Sequence, residues 1–284
     1  MAGGRWVPMP DPVGAGQWAH SACTRQKLAA ALADGAVRAI EADILMGTVA
    51  GAEDAEERPI MAHPPLRTSD LPFEDFLQEC LADGGRRHLK LDFKELRAVR
   101  QCLPEVARAT GRLRENGQAI WLNADVLPGP GCRGKAPTVP ADEFLKAVAD
   151  SCPGAPLSLG WSVYAVARDC YSQADCDAMA RLCEAGPAGA GRSPVVFAAC
   201  ARLAARGPQP LVGLLRRVEG SQLLLWTGTR EPPVSRRLLD DLGAVFRQAG
   251  LEGRVGYDCA VAASGFATFK AELTVALARV CFCV

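Results

Sequence analysis

The sequence predicts an α/β fold, a single TIM-type (β/α)8 barrel, and two observations lead to this prediction. Nine short apolar segments rich in strand-forming residues recur along the 284-residue chain. Stretches with apolar residues at helical spacing separate most of them. A strand followed by a helix, repeated, is typical of a parallel sheet. The third segment is short and follows directly on the second, so eight strand–helix units remain, the number that closes a barrel.

The candidate strands share leucine, β-branched and aromatic residues. In chain order they cover residues 16–22, 37–45, 58–63, 88–94, 119–127, 156–164, 194–200, 222–228 and 254–260. Helical spacing is clearest in "TRQKLAAALADG", "LPFEDFLQECLADGG", "VPADEFLKAVADSC" and "SRRLLDDLGAVFRQAG". The first, second and fourth of these end at glycine, which is typical of a helix C-terminus.

The chain is long enough for two domains of about 150 residues, but an α/β barrel of about 250 residues is one domain. We therefore expect one domain over residues 1–284, with the barrel at 16–258. An N-terminal segment at 1–15 would precede it, and a helical tail at 259–284 would pack on it. The segments at 51–58 and 185–194 are predicted surface loops.

Composition argues against several classes of function. The formal net charge is +0, whereas nucleic-acid-binding proteins carry a basic excess, so no nucleic-acid partner is expected. No apolar run of about 18 residues predicts a membrane span. The N-terminus lacks the features of a signal peptide, so a cytoplasmic location is expected. The 12 cysteines form no C-x-x-C pair, and we expect most of them to be small buried thiols in a reducing compartment.

Three candidate strands depart from the apolar pattern of a parallel sheet. Side chains alternate between the two faces of a strand, and here polar groups share one face: Glu41 with Asp43; Lys90, Asp92 and Lys94; and Trp121, Asn123 and Asp125. Both faces of a parallel sheet are covered, so a charged face is not simply open to solvent. Such groups collect at the carboxyl end of a barrel. These strands therefore predict a polar site at the barrel mouth.

Glu41, Asp43 and Asp92 are carboxylates on neighbouring candidate strands. Without a counter-charge they would repel one another and raise one another's pKa values. Oxygen ligands suit a hard divalent cation, with Mg²⁺ favoured and Ca²⁺ as the alternative. The structural alternative is a network in which Lys90 and Lys94 neutralise the acids. The residues alone leave both interpretations open.

Two of the three histidines end candidate strands on the side of these carboxylates. His20 ends the first strand and His63 ends the third segment, so the two imidazoles would flank the acidic cluster. Histidine exchanges protons near neutral pH, and the pair therefore predicts a general acid and a general base. His88 begins its strand, away from the mouth, and is predicted to be structural.

In kind and order these residues resemble the pattern of the glycerophosphodiester phosphodiesterase and phospholipase-C-like superfamily, which includes sphingomyelinase D relatives. The matching residues are His20, Glu41 with Asp43, His63, and Asp92 with Lys94. The resemblance implies a barrel of the phospholipase-C-like phosphodiesterase type. It also implies a role for Trp226, which matches a late tryptophan of the sphingomyelinase D branch.

Within that superfamily the chain is similar to the menorin family, from about Trp18 to Asp258. The segments that carry this resemblance are "IEADILMG", "PIMAHPP", "LKLDFKEL", "WLNADVLPGP" and "LSLGW". Two positions depart from the patterns. The phosphodiesterases have an arginine directly after the first histidine, where this chain has Ser21, and menorins have a nearby asparagine, where it has Cys23.

The leading hypothesis is a metal-dependent phosphodiesterase or phospholipase-D-like enzyme that acts on a small phosphodiester or lipid substrate. Its catalytic residues would be His20, His63 and Lys94, and its metal ligands Glu41, Asp43 and Asp92. Substrate-binding candidates are Lys90, Asn123, Asp125, Trp121, Trp161 and Trp226. For each tryptophan taken alone, core packing is the favoured role. A second hypothesis is a catalytically silent binding or scaffolding barrel, and a third is a Schiff-base lyase that uses Lys90 or Lys94.

Overall fold

Eight parallel strands with helices between them form a nearly closed barrel. The computed structural model describes residues 6–7, 10–52, 56–84, 87–164, 166–185, 193–229 and 231–262. The strands are β1 (Trp18–Ala19), β2 (Ala39–Val49), β3 (Arg58–Met61), β4 (Thr68–Ser69), β5 (His88–Phe93), β6 (Ile120–Pro128), β7 (Leu157–Ser162), β8 (Val195–Cys200), β9 (Gln222–Trp226) and β10 (Val255–Asp258). The helices are α1 (Arg25–Ala33), α2 (Phe73–Ala82), α3 (Leu96–Asn116), α4 (Ala141–Ser151), α5 (Gln173–Ala185), α6 (Ala201–Ala204), α7 (Gln209–Arg217) and α8 (Arg236–Gln248).

The barrel strands follow one another in the order β1-β2-β5-β6-β7-β8-β9-β10. Every neighbouring pair is parallel. At least one helix lies in each connection between successive barrel strands. These are the eight strands that the sequence predicts, and the TIM-like architecture is confirmed.

β2 is longer than predicted, and its extension carries two accessory strands. β3 pairs antiparallel with β2 from Ile44↔Met61 to Gly47↔Arg58, and β4 pairs with its last two residues. β3 is the short third segment of the sequence prediction. The sequence does not predict β4, because its two residues carry no apolar pattern. The chain after β3 then returns towards the barrel, where Ala62 N–H donates to the carbonyl oxygen of Asp43 at 2.9 Å.

The seam of the barrel lies between β1 and β10, the two ends of the strand order. The chain before β1 lies along β10, because Tyr257 N–H donates to the carbonyl oxygen of Val13 at 2.9 Å. A Cβ atom at Gly256 would lie 3.2 Å from the same oxygen. The close approach of these two segments brings the end of β10 beside the residues that follow β1.

Apolar side chains form one core outside the barrel strands and another inside them. The outer core joins strands to helices; for example, the Phe93 ring on β5 lies 6.5 Å from the Phe144 ring on α4. The inner cluster comes from β1, β6, β8 and β9, which meet only within the barrel. Its members are Trp18, Trp121, Val196 and Leu224. The remaining inward positions are mostly polar and lie towards the mouth.

Ten cysteines are free thiols in the described part of the chain, and seven of them are buried, as expected. Residues 263–284 of the predicted helical tail, and most of the predicted loop at 185–194, lie outside the described residues. Among the helices that the structure describes, none combines the length and apolar character needed to cross a bilayer.

Candidate active site

A cavity of about 200 Å³ lies at the carboxyl ends of the barrel strands. Its lining residues are His20, Glu41, Asp43, His63, Lys90, Asp92, Lys94, Asn123, Asp125, Val163, Ala198, Trp226, Gly228 and Thr229. Ten of the twelve site residues predicted from the sequence are among them. The structure therefore brings together side chains that are up to 209 positions apart in the chain, since His20 and Thr229 line the same space.

Three carboxylates and two lysines form an ionic network in this cavity. Glu41 lies level with Lys90, and Asp43 with Asp92, in the pairing of β2 with β5. Lys94 Nζ lies 2.8 Å from Asp43 Oδ1 and 2.9 Å from Asp92 Oδ2. Lys90 Nζ lies 3.5 Å from Asp92 Oδ2 and 3.8 Å from Glu41 Oε1. The carboxylate–lysine network that the sequence leaves open is therefore present.

Acidic groups outnumber basic groups at the mouth. Asp125 and Asp258 lie near the three carboxylates of the network, and the five acids face the two network lysines. If every group were ionised, three negative charges would remain before His20 is counted. Buried charge without a partner is costly, so a site with this excess favours either proton uptake or a bound cation.

The pKa values reflect this excess. Burial raises the pKa of Glu41 to about 7. Burial and the charge of Asp92 raise the pKa of Asp125 to about 7. Burial also acts to raise the pKa of Asp92, but the charge of Lys94 outweighs burial, and this pKa falls well below its usual range. The lysines thus stabilise Asp92 as an anion, whereas Glu41 and Asp125 lack enough nearby positive charge. A bound cation would supply that charge.

Asp258 holds His20 across the seam of the barrel. Its Oδ2 lies 2.6 Å from His20 Nδ1, and Glu41 Oε2 lies 3.6 Å from the same nitrogen. Because a carboxylate accepts, Nδ1 donates, which leaves Nε2 as the nitrogen for proton exchange. Burial lowers the pKa of His20, but the carboxylates of Glu41 and Asp258 outweigh burial and raise it to about 9.

The backbone after β1 supports the two acids of β2. Ser21 has a φ of 54°, in the left-handed region that few residues other than glycine adopt. Its N–H donates to Glu41 Oε2 at 2.7 Å. Cys23 Sγ lies 3.4 Å from the backbone nitrogen of Asp43 and 3.6 Å from Asp43 Oδ2. Both positions that depart from the family patterns therefore contact the candidate metal ligands, and the strained backbone directs one donor at Glu41.

His63 lies at the rim of the cavity and is exposed. Its Nδ1 lies 2.6 Å from the carbonyl oxygen of Pro64. A carbonyl oxygen only accepts, so Nδ1 donates and Nε2 remains for proton exchange. Both candidate catalytic histidines thus use Nδ1 for an internal hydrogen bond. In both rings Nε2 remains for proton exchange.

β7 provides two small residues that position the polar groups of β6. Ser158 Oγ donates to Asn123 Oδ1 at 2.6 Å, which leaves the amide nitrogen of Asn123 for other partners. Gly160 is opposite Asp125 in the pairing of β6 with β7. A Cβ atom at Gly160 would lie 2.2 Å from Asp125 Oδ1. The carboxylate of Asp125 therefore occupies space that only glycine leaves free.

The three candidate tryptophans occupy different environments. Trp226 ends β9 and lines the cavity. The structure does not bring the other two to the mouth, which corrects that expectation. Trp121 points into the barrel but is buried in the inner cluster, with its ring 5.6 Å from the ring of Trp18. Trp161 has the outward orientation on β7, and its ring lies 5.1 Å from that of Tyr171. Core packing is the role of both.

Glu41, Asp43 and Asp92 fit a divalent cation. Each offers a carboxylate oxygen, and these oxygens lie within 4.8 Å of one another. Among the described residues Asp92 Oδ1 finds no hydrogen-bond partner although it is buried, and a cation would satisfy it. An all-oxygen ligand set suits Mg²⁺ or Ca²⁺. Lys94 already contacts two of these acids, so a cation would share them with its ammonium group.

Sequence reasoning missed three residues that shape the site. Asp258 ends the last strand, and its position at the carboxyl end of β10 is the signal that marks it. Ser158 and Gly160 alternate with outward apolar residues in "LSLGW", so strand periodicity places both inside the barrel. His88, predicted to be structural, accepts a hydrogen bond from Ala119 N–H at 3.1 Å and does not line the cavity.

Comparisons with known proteins identify relatives of this chain. A family model described as the Menorin N-terminal domain matches residues 15–258. Protein FAM151B from Homo sapiens is 30% identical over 217 residues, which cover 75% of this chain and 73% of the relative. The span matched by the family model contains every barrel strand and every residue of the site described above.

Proposed function

This chain belongs to the menorin family, and we propose that it is a metal-dependent phosphodiesterase. One observation carries the proposal: an acid-rich cluster, two histidines and two lysines share a single cavity at the barrel mouth. We place the barrel within the phospholipase-C-like superfamily because the residue order resembles that pattern. The proposed substrates are glycerophosphodiesters and phospholipid-like phosphodiesters.

Lys94 is the lysine suited to meet the substrate phosphate. Its side chain is 19% exposed, whereas that of Lys90 is 4% exposed. A phosphodiester carries one negative charge, and the ammonium group of Lys94 at the cavity surface would attract it. Lys90 would remain between Glu41 and Asp92 and keep those acids in place.

Glu41, Asp43 and Asp92 would hold the divalent cation, whose charge polarises a phosphate oxygen and offsets the charge that develops in the transition state. Ser21 N–H and Cys23 would keep Glu41 and Asp43 oriented for this role. These contacts do not depend on substrate, so the ligand set is organised before binding.

His20 and His63 would transfer the protons. One imidazole takes the proton of the nucleophile, which is water or a neighbouring hydroxyl of the substrate, and the other gives a proton to the leaving oxygen. Asp258 fixes the ring of His20, and the carbonyl oxygen of Pro64 fixes that of His63. Each ring thereby presents Nε2 as its reactive nitrogen.

A catalytically silent binding barrel is the second candidate, and Ser21 is the observation that favours it. The phosphodiesterases that the sequence resembles have an arginine at this position. A guanidinium group binds phosphate through two parallel N–H groups, and the serine side chain provides no such pair. Retention of two histidines and three carboxylates in the cavity favours catalysis, because a protein that only binds has no need of that set.

The test is phosphodiester cleavage across a substrate panel with Mg²⁺, with Ca²⁺ and with chelator. The panel contains glycerophosphodiesters, lysophospholipids and sphingomyelin. We expect metal-dependent turnover that falls by about 100-fold or more in His20→Ala and in His63→Ala. His88→Ala is the matched control, because it removes the same side chain outside the cavity and should retain turnover.

Absence of turnover with every substrate, from folded and metal-loaded protein, would reject the enzyme and favour the binding barrel. An equal loss in His88→Ala would mean that the histidine variants report damage to the fold. Borohydride trapping of a carbonyl substrate on Lys90 or Lys94 would instead support the Schiff-base lyase.

A further inference from the structure

Three large hydrophobic side chains are exposed in the described part of the chain, and all three are on loops that leave the cavity. Leu66 and Tyr164 are each 58% exposed, and Val166 is 55% exposed. Leu66 N–H donates to the carbonyl oxygen of His63 at 3.1 Å, and Tyr164 directly follows Val163. Both His63 and Val163 line the cavity. We call Leu66, Tyr164 and Val166 the apolar rim.

Hydrogen bonds hold the loop that carries Tyr164 against the loop after β6. Tyr164 N–H donates to the carbonyl oxygen of Pro130, in the loop after β6, at 2.9 Å. From the same loop, Arg133 donates to the carbonyl oxygen of Cys170 at 2.7 Å and to Asp175 Oδ1 at 3.0 Å. The side chain of Tyr164 is therefore exposed although its backbone is fixed by hydrogen bonds. An exposed apolar side chain on an ordered loop is typical of a binding surface.

Basic side chains accompany the apolar rim. The loops at 62–67, 129–140 and 163–172 contain four basic residues and one acidic residue, Asp169. Arg133 is paired with Asp169. Lys135 and Arg168 are exposed, and neither has an ion-pair partner within the described residues. Arg67 is paired with Glu95, so among the described residues these three loops contribute two unpaired cations, although the cavity beneath them is acidic.

We propose that the apolar rim docks on the surface of an anionic phospholipid membrane. Leu66, Tyr164 and Val166 would enter the interfacial layer, and Lys135 and Arg168 would meet lipid phosphates. Apolar side chains combined with flanking basic groups are what an anionic bilayer surface binds. Docking would place the cavity over the lipid headgroups. This inference rests on the proposed function, because it assigns the substrate to a membrane. Docking itself can be measured without any turnover.

The test is co-flotation of the full chain with vesicles of phosphatidylcholine and phosphatidylserine at a molar ratio of about 7:3, compared with phosphatidylcholine alone. We expect flotation with the anionic vesicles. The triple variant Leu66→Ser/Tyr164→Ser/Val166→Ser should bind at least about tenfold more weakly, because it removes three apolar contacts with lipid.

Charge is tested with a matched pair of double variants. Lys135→Glu/Arg168→Glu should weaken binding to the anionic vesicles by about tenfold or more. Arg112→Glu/Arg114→Glu makes the same change of charge near the C-terminus of α3, at the opposite end of the barrel, and should bind like the wild type. Tyr164→Trp/Val166→Leu should strengthen binding several-fold, a gain that does not arise from misfolding.

Wild-type protein that stays in the aqueous fraction with both vesicle types would overturn the proposal. So would a folded triple variant that floats like the wild type, or equal losses in the two charge variants. Soluble glycerophosphodiesters separate this proposal from the proposed function. Their cleavage without flotation rejects docking alone, whereas flotation without cleavage of any substrate rejects the phosphodiesterase alone.

Discussion

Lys94→Met tests the energetics of the acidic cluster, because the ammonium group of Lys94 lies within 2.9 Å of both Asp43 and Asp92. Methionine has a similar length and no charge, so the two acids would be left without their nearest counter-charge. Removing one partner of a buried ion pair costs about 3–5 kcal/mol. Since Lys94 is 19% exposed, we expect a loss of about 3 kcal/mol in the free energy of unfolding. For a domain of this size that corresponds to a fall in Tm of about 6–12 °C.

The assay is thermal unfolding with chelator and then with Mg²⁺ or Ca²⁺. A divalent cation should raise the Tm of Lys94→Met more than that of the wild type, because it supplies the charge that the variant lacks. Lys146→Met is the control; this lysine is 73% exposed and pairs on the surface with Asp150, so its loss should change Tm by about 1 °C or less. A wild-type Tm for Lys94→Met in chelator, or equal cation shifts in both proteins, would show that Lys94 does not supply the counter-charge of these acids.

Three further predictions concern the groups around this cluster. Gly160→Ala should lower the free energy of unfolding by about 1–3 kcal/mol in urea denaturation and reduce turnover, because the new methyl group displaces Asp125. Folding raises the pKa of Asp125 from 3.8 to about 7, so between these values the folded protein retains a proton that the unfolded chain loses. Without divalent cations, Tm should therefore fall as pH rises from about 4 to 7. The fall should be smaller in Asp125→Asn. Arg133→Met should cost about 1–3 kcal/mol in urea denaturation, because buried Asp175 loses its cation.

Strand periodicity predicts most of the fold and much of the site. Alternation in residues 88–94 places Lys90 and Asp92 on the face opposite Leu89 and Leu91, and the structure has them inside the barrel. The same rule, applied to "LSLGW", places Trp161 on the outer face. Its large aromatic side chain suggests a substrate contact only when the alternation is ignored.

Other features depend on the path of the chain and cannot be read from local pattern. Asp258 becomes a partner of His20 only because the barrel brings β10 back beside β1. The sequence does not reveal that Ser21 adopts a left-handed backbone, because a serine in that conformation is rare and nothing nearby demands it. The burial of Trp121 likewise follows from packing across the barrel, where it meets a tryptophan 103 residues away.

The proposed function requires that the acidic cluster support metal-dependent cleavage of a phosphodiester. Phosphorus NMR of the full chain, mixed with a glycerophosphodiester and a lysophospholipid in the presence of Mg²⁺, tests it most directly. We expect a phosphodiester resonance to be replaced by that of a phosphomonoester or a cyclic phosphodiester, and we expect chelator to stop the conversion. Unchanged spectra from folded protein saturated with Mg²⁺ or Ca²⁺, or conversion that continues at the same rate in chelator, would contradict it.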